Sequence, residues 1–235
     1  MWFDNIVDLI FYLVALGIIA FLAIRIYRKQ EVKLSKWKVI VVIIVGVFSF
    51  SIHFPMFEKT VELAILPLGV WILYFLLRNK GNSWKNYRPY ALLGFAGNYI
   101  FLAAFFISIF IYHLIYDENE LSHYISDISE AEIIPVHPDG EGNPQLSGDF
   151  MEIISKMKQK EFFSVVSYDD MFMVDDFQKE NERFPYLLAN SKPRWGSGAD
   201  AVIYIEKDGK GILVNTEKRS VYFRSNEKVL KEKDL

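Results

Sequence analysis

The sequence contains no cysteine. Without thiols the chain cannot form a disulfide, bind a metal through thiolates or carry a lipid on cysteine. It also lacks the Gly-x-x-x-x-Gly-Lys phosphate loop, the Gly-x-Gly-x-x-Gly dinucleotide loop and the His-Glu-x-x-His zinc motif. We therefore predict no cofactor, we leave the presence of a metal open, and no motif points to a particular reaction.

Acidic side chains are scarce in the first half of the chain. Residues 1–116 carry eleven Lys and Arg but only five Asp and Glu, whereas residues 117–235 carry fifteen and twenty-four. Phosphate contacts need clustered basic side chains, so the acidic second half argues against nucleic acid as a partner. The change of charge divides the chain into a basic, apolar half and an acidic, water-soluble half.

Long uncharged runs fill the first half, and they are Leu9 to Ile24, Val39 to Phe57, Leu63 to Leu77 and Pro89 to Tyr116. A helix of about 20 apolar residues crosses a hydrocarbon core about 30 Å thick. The runs predict four transmembrane helices, at about 6–26, 39–57, 61–77 and 90–116. The third run is short and contains Pro67 and Gly69, so a re-entrant or interfacial segment is the alternative there.

The charges of the loops predict the orientation. Residues 25–38 contain six basic side chains and one acid, and residues 78–89 contain four basic side chains and no acid. Short loops rich in Lys and Arg remain in the cytoplasm. A cleaved signal peptide carries its basic segment before the apolar run, whereas here Asp4 and Asp8 stand there. We expect a multi-pass plasma-membrane protein with its N-terminus and its C-terminal half outside.

Polar residues within or beside the spans are the first candidate site residues. Asn98 lies inside the fourth span, where an amide is expected to bond to another helix. A second group would lie at the outer leaflet, and its members are Asp8, His53, Glu62 and His113. Two imidazoles and two carboxylates could bind a metal or relay protons, although polar residues at span ends are also common without a function.

Small residues predict where helices approach each other closely. Ala91, Gly94 and Gly97 lie three residues apart on the fourth span, and Gly17 and Ala20 do the same on the first. Helices in lipid pack by close van der Waals contact, which small side chains permit.

The second half reads as a linker followed by a small α+β domain. Residues 117–148 are rich in Pro and Gly towards their end, which is typical of a linker. Residues 149–160 have the apolar spacing of an amphipathic helix. Residues 201–207 and 210–216 flank Asp208-Gly209, a strong hairpin signal, and a further strand at 221–223 completes a three-stranded antiparallel meander.

Two further groups in this half could carry chemistry. Arg194 and Trp195 could present a cation and a ring to a ligand or partner, although a loop packed on the sheet explains them as well. Paired acids, at Asp169, Asp170, Asp175 and Asp176, could bind a metal or act in acid–base chemistry. Solvated charge beside a strand is the commoner explanation.

The sequence thus predicts a membrane-embedded, all-α, four-helix module over residues 1–116. A linker at 117–148 and an extracytoplasmic α+β domain at 149–235 follow. We expect a protein without catalytic activity whose partners are the lipid bilayer and another membrane or envelope protein. The functions compatible with this are envelope regulation, protection and complex assembly. The alternative is a transporter subunit or membrane enzyme that uses the outer-leaflet group.

Overall fold

A computed structural model describes residues 4–56, 59–138, 140, 144–160, 183–217 and 219–231. The chain divides into two compact units, Met1–Tyr112 and His113–Leu235. We describe each unit by itself.

Two helices are long and apolar enough to cross a membrane: α1 (Ile6–Lys29) and α4 (Ser83–Ile115). Helix α1 begins where the side chain of Asn5 accepts a hydrogen bond from the backbone N–H of Asp8, at 2.9 Å, which satisfies one of the open donors of the first turn. It ends with Arg28 and Lys29, whose positive charges suit the carboxyl end of a helix.

The predicted continuous helices at 39–57 and 61–77 are wrong. The chain instead forms α2 (Lys36–Val47), an antiparallel hairpin of β1 (Phe50–Met56) and β2 (Lys59–Leu66), and α3 (Leu68–Leu77). Two prolines lie in the interrupted segments, Pro55 within β1 and Pro67 directly before α3. Pro55 and Pro67 lack a backbone N–H, and the proline ring clashes with the carbonyl four residues earlier in a helix. Hydropathy does not register this restriction, because a strand and a helix can be equally apolar.

Three glycines allow α2 to approach its neighbours at backbone distance. A Cβ added at Gly94 of α4 would overlap the carbonyl of Ile43, and one added at Gly46 of α2 would overlap the carbonyl of Ala91. Gly69 of α3 stands against the carbonyl of Val45 in the same way. The expected contacts at Ala91 and Gly94 are therefore present. The one expected at Gly17 is not, because a Cβ there would meet nothing within 4 Å.

In its described residues, the second unit is built on a six-stranded antiparallel sheet. Its strands are β3 (Glu132–Pro135), β5 (Lys158–Lys160), β6 (Tyr186–Ala189), β7 (Ala201–Ile205), β8 (Gly211–Thr216) and β9 (Ser220–Arg224). Their order is β3-β6-β7-β8-β9-β5. The remaining elements are α5 (Leu121–Tyr124), α6 (Phe150–Lys156) and a short pair of β4 (Gln145–Leu146) with β10 (Leu230–Lys231).

The meander predicted from the Asp208-Gly209 turn is confirmed as β7, β8 and β9, but it is only the centre of the larger sheet. Sequence patterns show neighbouring strands joined by short turns, whereas β3, β5 and β6 pair across long separations. The predicted helix at 149–160 ends at Lys156, and the last three of its residues form β5.

One core joins the sheet to the helices of this unit. Phe150, Ile153 and Ile154 of α6 pack against alternate residues of the strands, such as Ile205 and Val214. Leu121, Tyr124 and Ile125 belong to the same core. The stretch 117–148, which we predicted to be a linker, thus supplies α5, β3 and β4 and part of the core. Pro135 ends β3, and the N–H of Gly140 closes a turn on the carbonyl of His137 at 2.9 Å, so these two residues belong to a folded unit rather than a tether.

Candidate functional site

Of the four residues that we predicted at the outer leaflet, two form a pair. His53 and Glu62 face each other across the β1–β2 hairpin, with Nε2 and Oε2 3.8 Å apart, and both side chains are more than half exposed. Exposed pairs of this kind contribute little to stability. His113 lies in the last turn of α4, in the second unit.

Asp8 instead forms a nearly enclosed polar group that the sequence analysis missed. Lys59 Nζ lies 2.6 Å from Asp8 Oδ2, and Ser108 Oγ donates to Asp8 Oδ1 at 2.8 Å. The Asp8 side chain is only 10% exposed, so the lysine and the serine compensate a charge that has lost most of its water. Lys59 is the only basic residue in the connection between the second and third predicted spans. Its isolated positive charge was the sequence feature that could have indicated the contact with Asp8.

No group of three or more His, Asp or Glu in the described part of the chain is arranged to hold a metal ion. The paired acids at 169–170 and 175–176 lie outside the described residues. The hypothesis of a transporter subunit or membrane enzyme therefore gains no supporting geometry from the four outer-leaflet residues.

Asn98 bonds to the end of a neighbouring helix. Its side-chain amide donates to the carbonyl of Val47, the last residue of α2, at 2.9 Å, and to Ser49 Oγ at 3.4 Å. The last carbonyls of a helix have no intrahelical donor, so the amide supplies one from α4. Asn98 thus links α4 to the end of α2 in this unit.

Arg194 and Trp195 lie in a tight loop beside the carboxyl end of α4. Arg194 donates to the carbonyl of Ile115 at 3.0 Å, and its guanidinium lies 5.4 Å from the centre of the Tyr116 ring. The Tyr116 hydroxyl donates to the carbonyl of Trp195 at 3.0 Å. The Trp195 side chain itself is 80% exposed, so it does not pack on the sheet.

The face of the sheet that points away from the core carries an apolar row, which we call the back row. Its members are neighbours in register on five successive strands, and they are Ile134, Leu187, Tyr204, Leu213 and Tyr222. Leu213 and Tyr222 are buried with Phe184. Ile134 at the other end is 41% exposed, and Val202, which precedes Tyr204 by two residues on the same face, is 47% exposed.

A charged cluster borders the back row. Glu206 accepts hydrogen bonds from Arg183 Nε at 2.8 Å and from the Tyr222 hydroxyl at 2.6 Å, and Arg224 bonds to the same carboxylate. Burial raises the pKa of Tyr222, and its hydrogen bond to Glu206 raises it further. A Cβ at Gly211 would overlap the carboxylate, so glycine makes room for it.

This cluster ties three parts of the unit together. Both oxygens of Glu206 are engaged by side chains from two other places in the chain, and Arg224 continues the contact to Asp208 in the turn. A charge bonded on all sides holds the turn between β7 and β8 against β9 and the segment before β6. No sequence pattern indicated this cluster, because Glu206 stands 18 residues from Arg224 and 23 residues from Arg183.

Comparisons with known proteins add no assignment. The chain matches no family model, no curated protein and no solved structure.

Proposed function

We propose that this chain is a multi-pass plasma-membrane protein without catalytic activity whose C-terminal unit lies outside the cell. There it binds another membrane or envelope protein. The apolar helices α1 and α4 support the membrane location. The basic segment 25–38 adjoins the C-terminal end of α1, and the basic segment 78–89 adjoins the N-terminal end of α4. Their positive charge favours the cytoplasm for these two helix ends.

The chain crosses the membrane four times if the β1–β2 hairpin reaches the outer side. Lys59 at the tip of the hairpin contacts Asp8 at the start of α1, so the tip stands at the N-terminal end of α1. On this proposal α2 and α3 form the cytoplasmic halves of two passes, and the strands form their outer halves. Open strand edges are tolerated at membrane depth only against protein or water. Tyr99 of α4 meets part of that requirement by donating to the carbonyl of Ala64.

The observation that carries the binding proposal is the exposed end of the back row. Ile134 lies on β3, which is an edge strand among the described strands, and Val202 lies on the same face two strands away, on β7. Among the described strands the opposite edge is β5, whose exposed Lys-Gln-Lys sequence disfavours pairing with a strand of another chain. An edge that combines apolar side chains with open backbone groups suits a protein partner better than a small ligand.

A lysine introduced at Ile134 or at Val202 tests this surface. We expect Ile134→Lys and Val202→Lys to abolish cross-linking to the partner in native membranes, because each places a charge in an apolar contact. Met151→Lys is the matched control. Met151 is similarly exposed, at 39%, but it lies on α6, which packs on the core side of the sheet.

Two results would contradict the proposal. One is equal cross-linking by Ile134→Lys, Val202→Lys and the unmodified chain. The other is recovery of the same partners by a chain truncated before Asp117, which would assign binding to the membrane module. Surface expression of each variant, measured by labelling of intact cells, separates lost binding from lost protein.

A further inference from the structure

We propose that the loop at 192–198 is a membrane-interface anchor, with Trp195 inserted into the headgroup layer where α4 leaves the bilayer. The partner of this surface is the lipid bilayer itself. The inference rests on α4 crossing the membrane, which is part of the proposed function.

The loop is fastened to the end of α4. Ile115 is the last residue of that helix, and Arg194 donates to its free carbonyl at 3.0 Å. The next residue along the chain, Tyr116, is 5% exposed and donates to the carbonyl of Trp195 at 3.0 Å. Trp195 is therefore held beside the residue at which an apolar helix of 33 residues ends.

The loop is also rigid. The backbone of Lys192 bonds in both directions with that of Asp127, and the N–H of Arg194 donates to the carbonyl of His123 at 3.0 Å. The N–H of Ser197 closes the turn on the carbonyl of Arg194 at 3.1 Å, and Ser197 is buried. Gly196 follows Trp195 at a φ of 77°, a conformation that glycine adopts without strain. These hydrogen bonds fix the position of the backbone that carries Trp195.

The chemistry of the exposed tip fits the boundary between lipid and water. Trp195 is the most exposed large apolar side chain in the described residues, at 80%. Tryptophan is enriched at membrane interfaces because its ring is apolar and its N–H can still meet water or headgroups. Arg194, directly before it in the chain, carries a positive charge that is attracted to anionic headgroups, whereas Lys192 is paired with Glu130 at 3.1 Å.

The absence of cysteine makes a direct test simple, because a single introduced cysteine is the only site of labelling. We suggest nitroxide labels at Lys192→Cys, Phe110→Cys and Glu227→Cys of the full chain, reconstituted in vesicles with anionic lipid. Phe110 is an exposed residue of α4 and reports the lipid, and Glu227 is an exposed polar residue and reports water. Oxygen and nickel accessibilities then give the depth of each label.

We expect the label at 192, in a chain that keeps Trp195, to lie at a depth between the other two. A label at 192 that is as accessible to nickel as the one at 227, while the one at 110 lies in lipid, overturns the anchor and leaves the span intact. A water-exposed label at 110 overturns the span, and with it the proposed function.

A second pair of variants tests the tryptophan itself rather than the position of its backbone. With the label on Lys192→Cys, adding Trp195→Ser should shift the label towards water. The backbone bonds of the loop do not involve the indole, so the loop is expected to keep its fold. An unchanged depth of the label at 192 would show that Trp195 does not hold the loop on the membrane.

Discussion

His123 shows how the fold changes the chemistry of one side chain. The residue is 3% exposed, and its ring lies edge-on to that of Tyr124 at 4.7 Å and near that of Tyr116 at 5.9 Å. Burial lowers the pKa of His123. Glu118 opposes this, whereas Arg194 and Arg219 lower the pKa further. The imidazole therefore stays neutral in the folded unit at pH values where it would be charged in the unfolded chain.

This difference predicts a stability that depends on pH. As the pH falls below 6.5, the usual value for histidine, the unfolded chain takes up a proton and the folded unit does not. The free energy of unfolding should therefore fall between about pH 6.5 and the lowered pKa of the folded state. Urea denaturation of the full chain in nanodiscs, followed by a dye on Glu227→Cys, measures it.

The matched variant is His123→Phe, which keeps a ring between the two tyrosines and cannot titrate. We expect its midpoint to change less than that of the parent chain between about pH 7.5 and pH 5.5. Identical pH profiles for the two chains would show that another group carries the dependence.

At the scale of the elements, α2 depends on glycine for its contacts with both neighbouring helices. Backbones that approach this closely leave no room for a methyl group on Gly94, since the carbonyl of Ile43 belongs to a helix and cannot move alone. Asn98, one turn further along α4, bonds to the end of the same helix. Close packing and one polar bond thus hold α2 to α4.

We predict that Gly94→Ala destabilises the membrane unit by about 1–3 kcal/mol, the usual cost of overpacking. Gly17→Ala is the matched control, since it adds the same methyl group to α1 with nothing within 4 Å. Thermal denaturation of the full chain in one detergent compares them. Equal midpoints would contradict the packing at Gly94.

For the whole molecule, the decisive prediction is which side of the membrane each end of the proposed spans faces. A membrane-impermeant maleimide added to intact cells should label Met151→Cys, in the C-terminal unit. It should label Asn82→Cys, between α3 and α4, only after the cells are permeabilised. The reason is the excess of Lys and Arg around Asn82, which on the proposed topology places that connection in the cytoplasm. The reverse pattern would overturn the orientation and the extracytoplasmic binding surface together.

Local signals account for the parts of the fold that the sequence predicted. The apolar runs predicted α1 and α4, and the Asp208-Gly209 turn predicted the β7–β8 hairpin, because each depends on residues close together in the chain. Pro55 and Pro67 were also visible, but a long apolar run outweighed them and the β1–β2 hairpin was missed.

Only the tertiary structure decided which distant residues meet. It paired Asp8 with Lys59 rather than with a histidine, and it gathered Arg183, Glu206 and Arg224 into one cluster. It also exposed Ile134 and Val202 on one face and set Trp195 beside the end of α4. Hydropathy and turn preferences act over a few residues. The partners of a buried charge and the surroundings of an exposed ring depend on how distant segments pack.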